Sequence, residues 1–550
     1  MDRVAPLRAL APDVATTTND GAPSVRDEAT LASLCCTLLP AHPSLSSAEQ
    51  NLPGVSSRAT VHAGVTDDIA AAVRRGADPL GECLLKLRTA ESRRLLGAVY
   101  TPPAIVAPLL TWLKQQGAVQ RFVDPGAGSG RFVLAAGDAF PQGQLLAVES
   151  DPLAALVLRA NLHLRGMAAR SEVIVDDYRR LRLPRIEGRT AFVGNPPYVR
   201  HHHISARWKR WYTDHFARLG ITASAMAGLH LHFFLKTALL ARDGDIGAFV
   251  TSAEWLDVNY GAALRRLLVQ RLGAVGLHVL APQVEAFTGT ATTTAITCFR
   301  VTEVDSPITV RSVSATAELA VMSGGVALKR EVLLATPRWT SLLHPARAGE
   351  DATLALGDLF RVLRGQVTGA NAVWIYDDDR PLLPPGVLRP TITRAQELIR
   401  AGTRLQSAEA LRQVVDLPTS LDEFNDEDMR RIDDYLVWAR QQGAHTGYIA
   451  RNRKAWWAVA LREPAPILCT YMARRAPQFT LNLAGARHIN VAHGLYPRQA
   501  MADEQLDRIV SWLNANVDVS SGRTYAWGLT KFEPKEIARL RIPAHLAEPR

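Results

Sequence analysis

Residues 121–136 constrain the fold more than any other stretch. Arg121-Phe122-Val123-Asp124 is a short apolar run ending in an acid, Pro125-Gly126-Ala127-Gly128-Ser129-Gly130 is a glycine-rich turn, and Arg131-Phe132-Val133-Leu134-Ala135-Ala136 opens a helix. Strand, glycine turn, helix is a nucleotide-binding arrangement, because glycine takes positive φ and lets backbone approach a ligand closely. The spacing is Gly-x-Gly-x-Gly and no Gly-Lys-Ser/Thr follows, which argues against a P-loop and weakens a dinucleotide reading. A second strand, Gln144–Val148, ends in Glu149. That acid lies about 20 residues beyond the glycines, where it can bind both ribose hydroxyls. Asp151-Pro152 then start a helix rich in Ala and Leu, and a third strand, Glu172–Val175, ends in Asp176-Asp177-Tyr178. An acid there can accept from the exocyclic amine of an adenine. Any one of these acids reads equally as a helix N-cap; three successive strand tips each carrying one form a pattern. Strands and helices alternate to about residue 305, as a parallel sheet with helices on both faces requires.

The fourth strand end is different. Thr190-Ala191-Phe192-Val193 runs into Gly194-Asn195-Pro196-Pro197-Tyr198. Neither proline has an N–H for a ladder, so the backbone must leave the sheet here, at the carboxyl edge where open α/β folds place ligands. The Asn195 oxygen and the Pro196 carbonyl can accept from a planar –NH2 group, and Tyr198 can stack on the ring that carries it. The bland alternative is a tight turn that happens to contain Asn and two prolines; the upstream motifs weigh against it.

Taken together, these motifs resemble the gamma class of adenine-N6 DNA methyltransferases, most of all the TaqI-like group, which use S-adenosylmethionine. The order agrees: Val99-Tyr100-Thr101-Pro102-Pro103, glycine loop, two acidic strand ends, Asn-Pro-Pro-Tyr, then a large C-terminal region. The loop departs from the group, where Ala and His are common, but its glycine form is common in the wider class. The resemblance implies an α/β fold, a doubly wound Rossmann-like methyltransferase sheet with a C-terminal α+β target-recognition domain. It implies cofactor contacts from Tyr100, Thr101, Asp124, Gly126, Gly128, Gly130, Glu149, Asp177 and Phe234. Asp177 is preferred to Asp176 because Tyr178 completes the family's acid–aromatic pair. It further implies a catalytic set of Asn195, Pro196, Pro197 and Tyr198, with Phe287 packing on the flipped base. Methyl transfer to such an amine calls for positioning and electrostatics, and no shifted general base. Extruding the base costs a few kcal/mol, which stacking on Tyr198 and Phe287, at about 1–3 kcal/mol per base, would offset.

Composition sets the remaining bounds. Net charge is 63 − 53 = +10, which favours a phosphate-rich partner; the resemblance implies that this partner is double-stranded DNA. Five cysteines without a C-x-x-C pair fit a reducing cytoplasm and no zinc site. No apolar run is long enough to span a membrane, and the first residues lack a signal-peptide core. His201-His202-His203 has no carboxylate or cysteine at ligand spacing, so it is expected to be a loop near the substrate, not a metal site.

Four regions are expected: residues 1–60 as a loosely packed extension, 61–305 as the methyltransferase domain with a helical lead-in from Thr66 to Leu96, 306–350 as a connecting segment, and 351–550 as the target-recognition domain. There, Ser420-Leu421-Asp422-Glu423 has a capping-box pattern ahead of a helix with Met429, Ile432 and Leu436. Arg451, Arg453, Arg474 and Arg475, interleaved with aromatics, are expected to touch phosphates or bases; Trp456 and Trp457 are expected in the core. Lys531-Phe532-Glu533-Pro534 resembles a segment common in the group and has no evident mechanism.

Two other readings compete with a site-specific adenine methyltransferase of a restriction-modification or phage-defence system. One is a methyltransferase of RNA bases or protein glutamine, which usually lacks so large a second domain. The other is a non-catalytic specificity protein, which would have no use for a cofactor pocket. The N-terminal stretch shows no Asp…Glu-x-Lys cluster, so a restriction endonuclease is expected on a separate chain.

Overall fold

The computed structural model describes residues 25–548, save 57–62, 90, 93–96, 98–100, 282–283, 285–286, 288–292, 302–305, 344–352, 474, 518–521 and 525–529. Two compact units divide between residues 343 and 344.

In the first unit the sheet is built from β1 (Arg121–Pro125), β2 (Gln144–Glu149), β3 (Ser171–Val175), β4 (Thr190–Gly194), β5 (Ile246–Ser252), β6 (Ala274–Leu280), β7 (Thr294–Arg300), β8 (Ile308–Val313) and β9 (Val326–Leu328). Their order is β3-β2-β1-β4-β5-β7-β6-β8-β9. β1 through β5 pair in parallel, and β7 lies antiparallel between β5 and β6. β1, β4 and β5 are buried along their whole length, as strands covered on both faces must be. Alternate side chains go to opposite layers. Phe122, Leu145, Ala191 and Val193 pack with α5 (Pro103–Gln115) and α6 (Arg131–Ala139). Val123, Leu146, Phe192 and Phe249 pack with α8 (Ala206–Arg218), α9 (Leu229–Leu240) and α10 (Ala262–Gln270). The winding reverses between β1 and β4, which is where a ligand crevice opens at the carboxyl edge.

Two expectations fail here. The N-terminal stretch is not loose where it is described. α1 (Glu28–Leu38) and α2 (Ser47–Gln50) join α3 (Ala63–Arg74) and α4 (Pro79–Leu87) against the outer face of α7 (Pro152–Leu164). Leu31, Leu34, Cys35 and Leu38 recur at i, i+3, i+4 and i+7 and are buried with Ile69, Val73, Leu80, Leu84, Leu153 and Val157. Residues 1–24 and Leu95 lie outside the described residues. Nor are residues 306–343 a connector: β8 extends the sheet in parallel with β6, β9 pairs with β8, and Trp339 is buried beside Trp255.

The second unit is α+β. Phe360–Arg364, Ala492–Pro497, Ile467–Thr470, Phe479–Asn482 and Arg404–Leu405 make a five-stranded sheet, in that order. The helix Asp503–Asn516 packs on it through Leu506, Ile509, Val510 and Leu513. A second cluster gathers Trp374, Tyr435 and Ile432. The helix carrying Ile432 is Asp426–Gln441, capped by Asn425, whose side chain accepts from the N–H groups of Glu427 and Asp428. Ser420 instead forms a local turn with Asp422, because the better cap lies five residues nearer the apolar stripe.

Candidate active site

Parallel strands end at one edge, so the segments following β1 to β4 converge there without further instruction. They line a cavity of about 260 Å³. Gly126, Gly128 and Ser129 come from the loop after β1, Glu149 from the tip of β2, Asp176 and Asp177 from that of β3, and Asn195 and Pro197 from that of β4.

The glycine loop takes its shape from Gly126, Gly128 and Gly130, at φ of +76°, +55° and +100°. Glu149 holds it from the side: one oxygen accepts from Gly128 N at 2.8 Å, the other from Asp151 N at 2.9 Å. Burial raises its carboxyl above the ordinary value. Each oxygen keeps a second lone pair for a hydroxyl donor. Gly126 and the proline motif nearly touch, since a Cβ on Gly126 would stand 3.3 Å from Pro197 Cδ. Asn195 donates from Nδ2 to the Oγ1 of buried Thr101 at 3.0 Å, which sets the orientation of its carboxamide. Tyr198, half-buried, meets His230 edge-on at 5.9 Å, and its N–H reaches the carbonyl of Gly97 at 3.2 Å. Pro196 is buried.

Asp177 lines the cavity in a clamp that the sequence did not reveal. Its carboxylate caps the turn Tyr178–Arg180 and takes Arg179 at both oxygens, from Nε at 2.9 Å and Nη2 at 2.6 Å. The Arg179 guanidinium in turn lies 4.0 Å over the Trp208 ring.

Several expected cofactor contacts sit elsewhere. Phe234 is fully buried between Phe249 and Trp255; its neighbour Phe233 lines the cavity, packed on Tyr178 at 5.0 Å. Asp124 lies beneath the loop, accepting from Val133 N at 3.2 Å, and burial pushes its carboxyl well above the usual range. Gly130 caps α6 and packs against Leu158, away from the cavity. Phe287 is buried in the α5-side cluster with Leu280 and Val313, apart from the cavity lining. Tyr100 lies outside the described residues. His201–His203 form a short 3-10 turn in which the rings of His201 and His202 lie 3.8 Å apart.

In the second unit, Arg451 and Arg475 are exposed, and Arg474 lies outside the described residues. Arg453 is turned inward, donating from Nη2 to the carbonyls of Val367 and Thr368 at 2.6 and 3.0 Å. That corrects the expectation of a nucleic-acid contact: a half-buried guanidinium whose Nη2 is bonded to two backbone carbonyls is scaffold. Trp456 and Trp457 are half-buried against the Trp374 cluster, and Trp457 Nε1 donates to Pro418 O. Lys531-Phe532-Glu533 gains a structural account. Phe532 is buried; its N–H donates to the Tyr471 carbonyl at 2.9 Å and its own carbonyl accepts from His493 Nε2 at 2.6 Å, while Lys531 and Glu533 pair at 2.5 Å.

The cavity therefore offers glycine backbone open to close approach, an oriented acid at the second strand tip, an acid and an aromatic at the third, and an Asn-Pro wall. That donor set fits a nucleoside-bearing cofactor seated beside a planar amine.

Known proteins place this site in context. Residues 332–549 match the family described as the type II methyltransferase M.Eco57I, C-terminal domain, and residues 185–273 match the Eco57I restriction-modification methylase family. The chain is 54% identical over 521 residues to the type II methyltransferase M.XamI of Xanthomonas campestris pv. amaranthicola, covering 95% of this chain and 99% of that protein. It is 19% identical over 364 residues to the type II methyltransferase M.AccI of Acinetobacter calcoaceticus, covering 62% and 67%. Among solved structures, the type IIL restriction-modification enzyme MmeI in complex with DNA shares the fold, with a TM-score of 0.52 and 14% identity over 88% of this chain and 75% of that one.

Proposed function

The chain belongs to the type II DNA methyltransferases of restriction-modification systems and uses S-adenosylmethionine, and we propose that the group it methylates is the N6 amine of an adenine swung out of duplex DNA. The observation that carries this reading is the shared wall: Gly126 of the cofactor loop and Pro197 of the Asn-Pro-Pro-Tyr motif stand within van der Waals reach of one another. S-adenosylmethionine supplies a methyl group on a positively charged sulfur. Everything else falls to the chain.

Glu149 binds the ribose hydroxyls, and Asp177, held by Arg179, accepts from the cofactor's adenine amine beside the Phe233 ring. Asn195, with its nitrogen committed to Thr101, presents its oxygen together with the Pro196 carbonyl to the two hydrogens of the target amine. Accepting both hydrogens orients the nitrogen and raises its electron density as the new bond forms. Tyr198 stacks on the target base. Burial holds its phenol well above the ordinary value, so it serves as a neutral ring and not as a base. In the second unit, exposed Arg451 and Arg475 contact phosphates or base edges.

Long-read sequencing of DNA from cells expressing the protein tests the reading. The expected result is N6-methyladenine at one sequence motif, lost in Asn195→Ala while calorimetry still finds cofactor binding. Methylation of cytosine, or an Asn195→Ala variant that modifies DNA fully, would overturn it.

A further inference from the structure

We propose that Asp78, carried on the N-terminal helices, is a positioning residue for S-adenosylmethionine, holding the glycine loop in its binding form from outside the sheet. The inference rests on the cofactor reading above and extends it to a part of the chain that neither family match reaches.

Asp78 caps α4, yet most of its bonds go elsewhere. Oδ2 accepts from Ser129 Oγ at 2.6 Å and from Arg131 Nε at 3.1 Å; Oδ1 accepts from Gly81 N at 3.0 Å and from Asn161 Nδ2 at 3.2 Å. Asn161 Nδ2 also donates to the Ser129 carbonyl at 3.0 Å. Ser129 is thus gripped at its hydroxyl and at its backbone by one network centred on a residue 51 positions upstream. Gly81 makes room for it: a Cβ there would come within 2.5 Å of Ser129 Oγ and collide with the Asp78 carboxylate. A second strut runs alongside. Arg88, just past α4, pairs with both Glu28 and Asp151 and lines the cavity.

The physical reason is entropy. A loop with three glycines at positive φ has wide freedom, and ordering it on binding weakens affinity unless it is ordered beforehand. Ser129 sits between the last two of those glycines, so one anchor there restrains both.

Calorimetric titration of S-adenosylmethionine into the full chain tests this, using wild type, Asp78→Asn, Ser129→Ala and the double variant. Each single variant is expected to weaken Kd about tenfold, the order of a hydrogen bond to a charged group. The double variant should be no weaker than about the worse single, since both remove one interaction. For Asp78→Asn, KM for the cofactor should rise by the same factor, with kcat at saturation and KM for DNA unchanged. A folded Asp78→Asn with wild-type Kd, or one that loses kcat alone, overturns the proposal, as does a double variant with multiplied effects. If Asp78→Asn fails to fold, Ser129→Ala decides alone, and a wild-type Kd there overturns it. A wild-type chain that binds no S-adenosylmethionine would sink the cofactor reading itself, a separate outcome.

Discussion

Phe233 and Phe234 differ by one step along α9, and that step decides whether a ring meets the cavity or the core. The helix is buried almost all round, from His230 through Leu235 and at Thr237, so its sequence carries no stripe to show which side faces the site. Motif position pointed to Phe234; packing assigned the role to Phe233. Phe233→Ala should weaken cofactor binding severalfold by calorimetry, because it removes a ring contact worth about 1 kcal/mol from the cavity wall. Phe234→Ala should leave binding near wild type; both rings are buried, so each variant should cost about 3–5 kcal/mol of stability in denaturant unfolding through the cavity it leaves. Equal effects on binding would show that the helix is phased otherwise. The acids were easier to read. Glu149 and Asp177 sit at strand tips, where direction is fixed by the parallel sheet, whereas Asp124, equally at a tip, turns inward to cap α6. Arg179 and Asp78 left no local trace, since their meaning lies in what they touch.

At the scale of elements, strands with a turn or helix signal at each end were legible, and those defined by a distant partner were not. β8 is parallel to β6 across an intervening strand and loop, a pairing no local pattern announces. The N-terminal helices hid behind an Ala-, Ser- and Thr-rich composition, although their apolar spacing was present. β5 shows how closely the central layer is fitted. Gly247 faces Phe192 on β4 and Phe299 on β7, and a Cβ there would lie 2.6 Å from the Phe192 carbonyl oxygen and collide with the Phe299 ring. Backbone cannot yield as a side chain can. Gly247→Ala should therefore lower stability by about 3 kcal/mol, the upper end of overpacking costs, seen as a fall in Tm. A Tm equal to wild type would mean the sheet relaxes around it.

The whole molecule responds to pH and salt. Burial pushes His230, His488 and His493 down to about 4 and His278 to about 3. Between these values and about 6.5 the unfolded chain binds more protons than the folded one, so stability falls as pH drops through that window. Buried Asp124 and Glu149, shifted upward, have the opposite sign and favour the fold in acid. Replacing His488 and His493 together by Gln should flatten the decline in Tm between pH 7 and pH 5; an unchanged slope would show these histidines are not buried neutral. With a net charge of +10, DNA binding should weaken steeply with salt. Arg451→Ala and Arg475→Ala should each reduce the slope of log K against log salt by about one, whereas an Arg453→Ala variant that still folds should leave it alone.

The sequence by itself determined the doubly wound sheet, the glycine loop and the Asn-Pro-Pro-Tyr turn, because each is written in a few contiguous residues whose backbone chemistry allows little else. Only the tertiary structure decided which phenylalanine faces the cavity, which arginine turns inward, and that helices from the first ninety residues brace the glycine loop. Those facts are contacts between segments far apart in the chain, and periodicity along one segment cannot state its phase relative to another.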